Sequence, residues 1–239
     1  MDDYTLYRAD SRGVANHGWL KSHHTFSFGT YYNPERIQFG ALRVFNDDLV
    51  DGGLGFGEHP HDNMEIISLP LEGQLKHRDS LGNAATIKSG EIQVMSAGTG
   101  VYHTEYNKNR KIPVAFLQIW IFPKKRNVSP RYDQLDFSTK LKTNSFLQIL
   151  SPDQEDDGVW IYQDAWMHIG FFEADHPIKH TLKKKGNGLF IFVIEGSLSV
   201  FDITLSTRDA IGITNNGHFQ AITNSNTKLL LIEVPLQIE

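Results

Sequence analysis

Between stops of Gly, Asn, Asp and Ser, this chain runs in short apolar, β-branched and aromatic stretches, and helical periodicity is scarce along its whole length. Ile37 to Asn46, Glu91 to Met95, Val114 to Phe122, Leu189 to Ile194, Ser197 to Ile203 and Lys228 to Val234 are stretches of this kind. Branched and aromatic side chains suit a pleated, extended backbone. Asp79-Ser80-Leu81-Gly82-Asn83 reads as a hairpin loop between two of the strands. Many short strands at close spacing point to a sandwich or a barrel, so the fold class is all-β.

The pattern weakens between Pro123 and Asn144, where Pro130, basic residues and Asp133 to Asp136 interrupt it, and it resumes at Phe146. In a chain of 239 residues this leaves halves of similar size, with the division placed at residues 1–132 and 133–239. The halves share a short echo. Pro70-Leu71-Glu72-Gly73-Gln74-Leu75 is matched by Val193-Ile194-Glu195-Gly196-Ser197-Leu198: an apolar strand ends at Glu-Gly and an alternating strand begins. The echo and the barrel-like pattern together favour a duplicated β-domain.

Composition narrows the function. There is no cysteine, which removes disulfides, zinc fingers and cysteine nucleophiles. A formal charge of -5 and a pI near 6.1 argue against nucleic-acid binding through phosphates. The basic runs Lys124-Lys125-Arg126 and Lys183-Lys184-Lys185 are expected to be solvated loops. No apolar run approaches the ~18 residues of a membrane span, and the acidic start Met1-Asp2-Asp3-Tyr4 has no signal-peptide core. A cytoplasmic protein with no nucleic-acid or membrane partner is the expectation.

Two short patterns carry candidate chemistry, Glu58-His59-Pro60-His61 and His103-Thr104-Glu105. Each sets two ligand-type side chains at i and i+2, which on a strand point to the same face. Two neighbouring strands of this kind could converge His59, His61, His103 and Glu105 on one point. Three imidazoles and a carboxylate suit zinc, iron, nickel, copper or manganese better than calcium or magnesium. Gly53, Gly55 and Gly57 precede the first pattern, and Gly98 and Gly100 the second. Glycines beside buried ligands permit close backbone approach. A single histidine on a strand is ordinarily a surface or packed residue, so the weight rests on the paired spacing.

The surroundings of these pairs resemble a known family. Gly53, five residues, His59-Pro60-His61, three residues and Glu65 are similar to the first cupin motif. Gly90, five residues, Ser96-Ala97-Gly98, then His103 and Asn107 are similar to the second. Ser96 stands where that motif usually has proline, one extra residue separates Glu65 from Gly73, and His103 is set further from Gly98 than in most cupins. The pirin-like bicupins share these departures. Asn16-His17-Gly18-Trp19-Leu20, His24-Thr25-Phe26-Ser27-Phe28, Leu42-Arg43-Val44 and Leu71-Glu72-Gly73 resemble that branch. So do His77-Arg78-Asp79-Ser80, Met95 to Gly100 and Gln118-Ile119-Trp120-Ile121. The likeness is close from about residue 10 to 132 and loose beyond, and it is greatest to bacterial members described as quercetin 2,3-dioxygenases.

The resemblance implies two tandem cupin barrels of jelly-roll type, a bicupin. It places the metal ligands on His59, His61, His103 and Glu105, and leaves out Glu65, a ligand in many other cupins. One divalent transition metal is implied, iron(II) first, with zinc, nickel, copper, manganese and cobalt compatible. Substrate and co-substrate would be a flavonol-like aromatic such as quercetin, cleaved with release of carbon monoxide, and dioxygen. Glu105 is then the candidate catalytic residue, a ligand that also takes the 3-hydroxyl proton. Phe26, Phe28, Phe45, Phe56, Met64 and Met95 are candidate walls for a flat substrate. The rival reading is a non-enzymatic regulator that binds a protein partner, its metal a structural element or redox sensor. A third is another oxygenase or isomerase reaction on a small enol or phenol. His77, His17, His23 and His24 are expected to be structural.

In the C-terminal half, Glu195-Gly196 laid over Glu72-Gly73 gives an offset of 123 (195 − 72). His59 and His61 then fall on Leu182 and Lys184, and His103 and Glu105 near Ala221 and Thr223. That domain is therefore expected to lack metal ligands and to cover the apolar face of the first, leaving a monomer. His168, His176, His180 and His218 are expected in surface or structural roles.

Overall fold

Alternating side chains between glycine-rich stops give strands almost throughout, and a 3-10 turn at Ala9–Ser11 is the only helical element among the described residues. The computed structural model describes residues 4–215 and 217–238; the acidic stretch Met1-Asp2-Asp3 lies outside them. No described helix is long and apolar enough to cross a membrane. The strands of the first half are β1 (Tyr4–Tyr7), β2 (Gly13–Asn16), β3 (Leu20–His24), β4 (Leu42–Val50), β5 (Gly55–His61), β6 (Glu65–Glu72), β7 (Gln74–Asp79), β8 (Ala84–Lys88), β9 (Glu91–Ser96), β10 (Val101–Asn107) and β11 (Val114–Ile121). The second half adds β12 (Arg131–Asp136), β13 (Ser145–Ser151), β14 (Val159–Trp160), β15 (Trp166–Phe172), β16 (Pro177–Thr181), β17 (Asn187–Glu195), β18 (Ser197–Val200), β19 (Ile203–Ser206), β20 (Ala210–Ile213), β21 (His218–Thr223) and β22 (Thr227–Pro235).

These strands build two jelly-roll barrels on one plan. The first pairs a sheet of order β12-β9-β6-β11-β4-β3-β2 with one of order β5-β10-β7-β8. The second pairs β1-β20-β17-β22-β15-β13-β14 with β16-β21-β18-β19, matching the first except at one edge, where β14 lies parallel to β13 and β2 antiparallel to β3. The edge strands cross the midpoint of the chain. β12 pairs with β9 from Arg131↔Ser96 to Asp136↔Glu91, so the division expected between 132 and 133 runs through a strand of the first barrel. β1 pairs with β20 from Tyr4↔Ile213 to Tyr7↔Ala210 and so belongs to the second. An open sheet edge accepts whichever strand reaches it, and pairing rather than chain position assigns these two.

The large sheets pack against each other. Phe45, Ile67 and Leu117 of the first barrel and Phe190, Phe192 and Ile232 of the second are fully buried in one cluster. The second barrel thus covers the apolar face of the first, as expected. Strands covered on both faces read as near-continuous apolar runs, which explains Leu189 to Ile194 and, Gln118 apart, Val114 to Phe122. At the rim Asp47 accepts from Arg12 at 3.2 Å and from Arg208, across the barrels, at 3.0 Å.

Inside, the barrels differ. The second holds one apolar cluster, including Leu189, Ile191, Leu198, Phe219, Leu229 and Leu231. The first holds two smaller ones, around Leu20, Leu75 and Phe116 and around Ile66, Met95 and Val101. Between them along the strands lie Ser68, Gln93, Glu105 and Gln118, all buried.

Candidate metal centre

β10 lies between β5 and β7. The register sets His103 opposite His59 on one side and Asp79 on the other, and Glu105 opposite Phe56 and His77. Alternation turns His103 and Glu105 inward, each 2% exposed. A bulge lies between these two pairs: two steps along β10 take three along β5. Bulges of this kind re-aim side chains beside functional sites. Gly55 permits the close approach, since a Cβ there would lie 2.2 Å from the Glu105 carbonyl oxygen. Gly98, with φ of 48°, would place a Cβ 2.1 Å from the Val128 carbonyl oxygen. One glycine of each motif, Gly55 and Gly98, is therefore needed for close contact.

His59, His61 and His103 come together, with ring centroids 4.3 Å apart for His59 and His103, 4.9 Å for His59 and His61, and 5.0 Å for His61 and His103. Ligand atoms of these three lie within 4.8 Å of one another. A second group on the same limit joins His77, His103 and Glu105. Three of the four expected ligands thus form one triad, and Glu105 stands in an adjoining group that shares His103. Hydrogen bonds hold the carboxylate there. Ser68 Oγ donates to Glu105 Oε1 at 2.7 Å and Gln118 Nε2 donates to Oε2 at 2.7 Å.

The triad fits a transition metal on its own chemistry. His59 Nδ1 lies 2.7 Å from the Gly57 carbonyl oxygen, which can only accept, so Nδ1 carries the proton and Nε2 offers its lone pair. His61 Nε2 and both nitrogens of His103 are buried without a protein partner. Burial first, then the neighbouring histidines, pulls His61 down to about 4 and His103 down to about 3. Both rings are therefore neutral at neutral pH, the state that binds metal. His59 and His61 are half-buried, so one side of the triad meets solvent.

His77, expected to be structural, is the member of the second group that the sequence did not single out as a possible ligand. It is fully buried, with Nε2 3.0 Å from Asp79 Oδ2, Nδ1 unpartnered, and its ring tilted against Tyr132 at 4.9 Å. Burial pushes the Asp79 carboxyl up, but His77 and Asn83 outweigh it and hold the group below its ordinary value. The signal was available: His77 and Asp79 are also an i, i+2 pair on a strand. Ser68 and Gln118 carried none.

The other expected residues divide. Glu65 lies in neither group and accepts from Ser96 Oγ at 2.6 Å. His24 is buried, its Nδ1 3.2 Å from the Phe28 carbonyl oxygen, a structural role as expected. Of the candidate walls, Phe26 and Phe45 belong to the cluster between the barrels and not to the site. Phe56 stands 6.5 Å from His59 between ring centroids, and Phe28 5.3 Å from Trp120. Trp120 itself meets His61 edge-on at 4.9 Å, and Met64 and Met95 pack in its cluster. A concavity of 1110 Å³ lies on the outer face of the small sheet, lined by Lys76, Arg78, Tyr102 and Tyr106, away from the triad.

The register corrects the alignment of the second barrel. Leu198 pairs with Thr223 as Leu75 pairs with Asn107, so Phe219 and Ala221 stand where His103 and Glu105 do. His180 pairs with Phe219 as His59 pairs with His103, so His180 takes the place of His59 and Leu182 that of His61. The shift of two residues comes from the β16–β17 connection, residues 182–186, which is two longer than the β5–β6 connection, residues 62–64. The four-ligand set is not reproduced. His168, expected at a surface or structural position, is buried on β15 with its ring 4.8 Å from that of His180.

Comparison with known proteins agrees with this architecture. The pirin family profile matches residues 7–121, and the profile of the quercetinase C-terminal cupin domain matches residues 148–234. The chain is 38% identical to the quercetin 2,3-dioxygenase of Escherichia coli K12 over 96% of its length and 98% of that protein. It is 35% identical to a pirin-like protein of Caulobacter vibrioides, over 94% of its length and 96% of that one. The crystal structure of the bacterial pirin YhhW from Escherichia coli in complex with nickel(II) superposes with a TM-score of 0.91, at 38% identity, covering 97% of this chain and 99% of that one.

Proposed function

The chain belongs to the pirin family, and from that premise we propose that it is a metal-dependent dioxygenase that cleaves a flavonol such as quercetin with dioxygen. The observation that carries this reading is the solvent-reached triad of His59, His61 and His103, whose buried nitrogens include three without a protein partner. Relatives named quercetin 2,3-dioxygenase support the substrate class, and the nickel(II) complex of a relative supports a divalent ion in this fold. Here the three histidines and Glu105 would hold one ion, iron(II) in our reading. Once bound, the ion supplies Lewis acidity and coordination positions for substrate oxygen and dioxygen.

The chain's own groups do the rest. Glu105 is the base for the flavonol 3-hydroxyl proton, received on a carboxylate oxygen. Ser68 and Gln118 fix that carboxylate between them. Trp120 beside His61 and Phe56 beside His59 offer ring faces and edges to a flat aromatic. The second barrel covers the first from behind, which supports a monomer.

Oxygen uptake on adding quercetin to protein reconstituted anaerobically with iron(II), beside a His61→Ala control, tests the proposal. Uptake with loss of flavonol absorbance in the parent alone supports it. A Glu105→Gln variant with full metal and full turnover would remove Glu105 as the base. The concavity of 1110 Å³ on the outer face of the small sheet favours a second reading, a regulator that docks a protein partner there. Stoichiometric iron without oxygen uptake would move the weight to that reading or to another substrate.

A further inference from the structure

The second barrel has kept one histidine at the register position of a metal ligand. His180 on β16 corresponds to His59, and its nearest aromatic neighbours are His168, at 4.8 Å, and Phe146, at 5.6 Å. A spacing of 4.8 Å falls within the 4.3–5.0 Å found among the rings of the first-barrel triad. His168 is 6% exposed, and its Nδ1 is buried with no protein partner; His180 Nε2 is in the same condition. A buried polar atom left unpaired is costly, so this pair calls for an occupant.

We propose that His168 and His180 form a second, weaker transition-metal site in the C-terminal barrel, taking a borderline dication such as copper(II), nickel(II) or zinc(II) with water completing its shell. Two nitrogen ligands suit these ions and not calcium or magnesium. Burial pulls His168 down to about 3 and His180 down to about 4, so both lone pairs are free at neutral pH. A route from solvent exists. His180 is half-buried, and two residues further on Leu182 lines an open cavity of 550 Å³ with Lys184, Asn187 and Gly217.

Two features make the site weak. Only two protein ligands are present, since Leu182, Phe219 and Ala221 replace the others. The exposed Lys183 ammonium acts on both rings and opposes a dication, although solvent screens it. Loss of outer-shell support alone weakens a metal site about 10–100-fold, so with two ligands missing the affinity for nickel(II) is expected to fall more than about a hundredfold below that of the first site.

The test removes the first site and titrates the second. In a protein carrying His61→Ala and His103→Ala, copper(II) is added to one equivalent and followed by electron paramagnetic resonance. The expected result is one bound ion per chain with hyperfine structure from two imidazole nitrogens. Adding His180→Gln or His168→Gln, each of which keeps a polar side chain, should abolish that signal, while Lys183→Ala should tighten binding several-fold. Zinc(II) should raise the melting temperature of the His61→Ala, His103→Ala protein and leave that of the further His180→Gln variant unchanged. An identical copper signal after His180→Gln would place the ion elsewhere and overturn the proposal. Absence of any bound copper at a hundredfold excess would overturn it too, leaving a water molecule as the occupant.

Discussion

The middle layer of the first barrel and that of the second stand at the same register positions and have opposite character. Ser68, Gln93, Glu105 and Gln118 in the first correspond to Ile191, Ile211, Ala221 and Leu231 in the second. The two copies agree where they touch each other and differ in what fills them. Among the described residues, 12 buried side-chain atoms have no partner, of which 10 belong to residues of the first barrel and two to the His168–His180 pair. Burying a Leu or Ile side chain contributes about 1.5–3 kcal/mol, whereas a buried hydrogen bond nets about 1 kcal/mol and an unmade one costs more. The first barrel therefore gives up packing energy to hold a buried polar layer. The second supplies stability through its own interior and through the shared face. A bicupin of this kind separates support from chemistry between two copies of one fold.

Ile191→Ala should have the largest effect on this comparison, lowering unfolding free energy by about 2–5 kcal/mol as read from urea denaturation. Ser68→Ala, at the matching position, should cost about 1 kcal/mol in metal-free protein. Equal losses would erase the distinction between the two interiors.

Glu65 and Gly188 are the next contrast, since they too are register equivalents. Burial pushes the Glu65 carboxyl up to about 7, against the pull of Ser96 and Arg131. A carboxyl with a raised folded pKa contributes its stability fully below its unfolded value of about 4.3 and loses it as pH rises toward 7. Glu65→Gln should therefore flatten the pH dependence, and the parent should fall relative to the variant by on the order of 2–4 kcal/mol between pH 4 and pH 8. Parallel pH profiles would clear Glu65 of this role.

The third effect is smaller and concerns coupling. Glu105→Ala and Gln118→Leu install the second barrel's residues in the first. Each alone leaves a buried partner unsatisfied, and together they remove both, so the double variant should be more stable than additivity predicts by about 0.5–3 kcal/mol. A sum of the single effects would mean that the 2.7 Å contact between Gln118 and Glu105 carries no energy.

Much of this was legible in the residues. Paired spacing at His59, His61, His103 and Glu105 foretold adjacent strands with these side chains on one side, and the Glu-Gly echo foretold the duplication. Local patterns of this sort are set by period-two alternation, which a sequence displays directly. What escaped depends on partners distant in the chain. The destinations of β1 and β12 follow from which sheet edge is open. The place of Glu105 follows from Ser68 and Gln118, 37 and 13 residues away. His180 was misaligned because a constant offset cannot survive connections of unequal length. His77 was expected to be structural, and its hydrogen bond to Asp79 agrees, while the same register also brings it beside His103 and Glu105.

The crossed edge strand also sets a schedule for synthesis. Tyr4 and its partner Ile213 are 209 positions apart (213 − 4). At about 5–20 residues per second, Tyr4–Tyr7 leaves the ribosome roughly 10–40 s before the strand it must join. The first barrel receives its own edge, β12, directly after β11 and can close while translation continues. The second barrel finishes only when a strand made early meets one made 209 positions later. A message that started after Tyr7 would make a complete first barrel beside a second one with a bare edge, and such an edge invites pairing between chains.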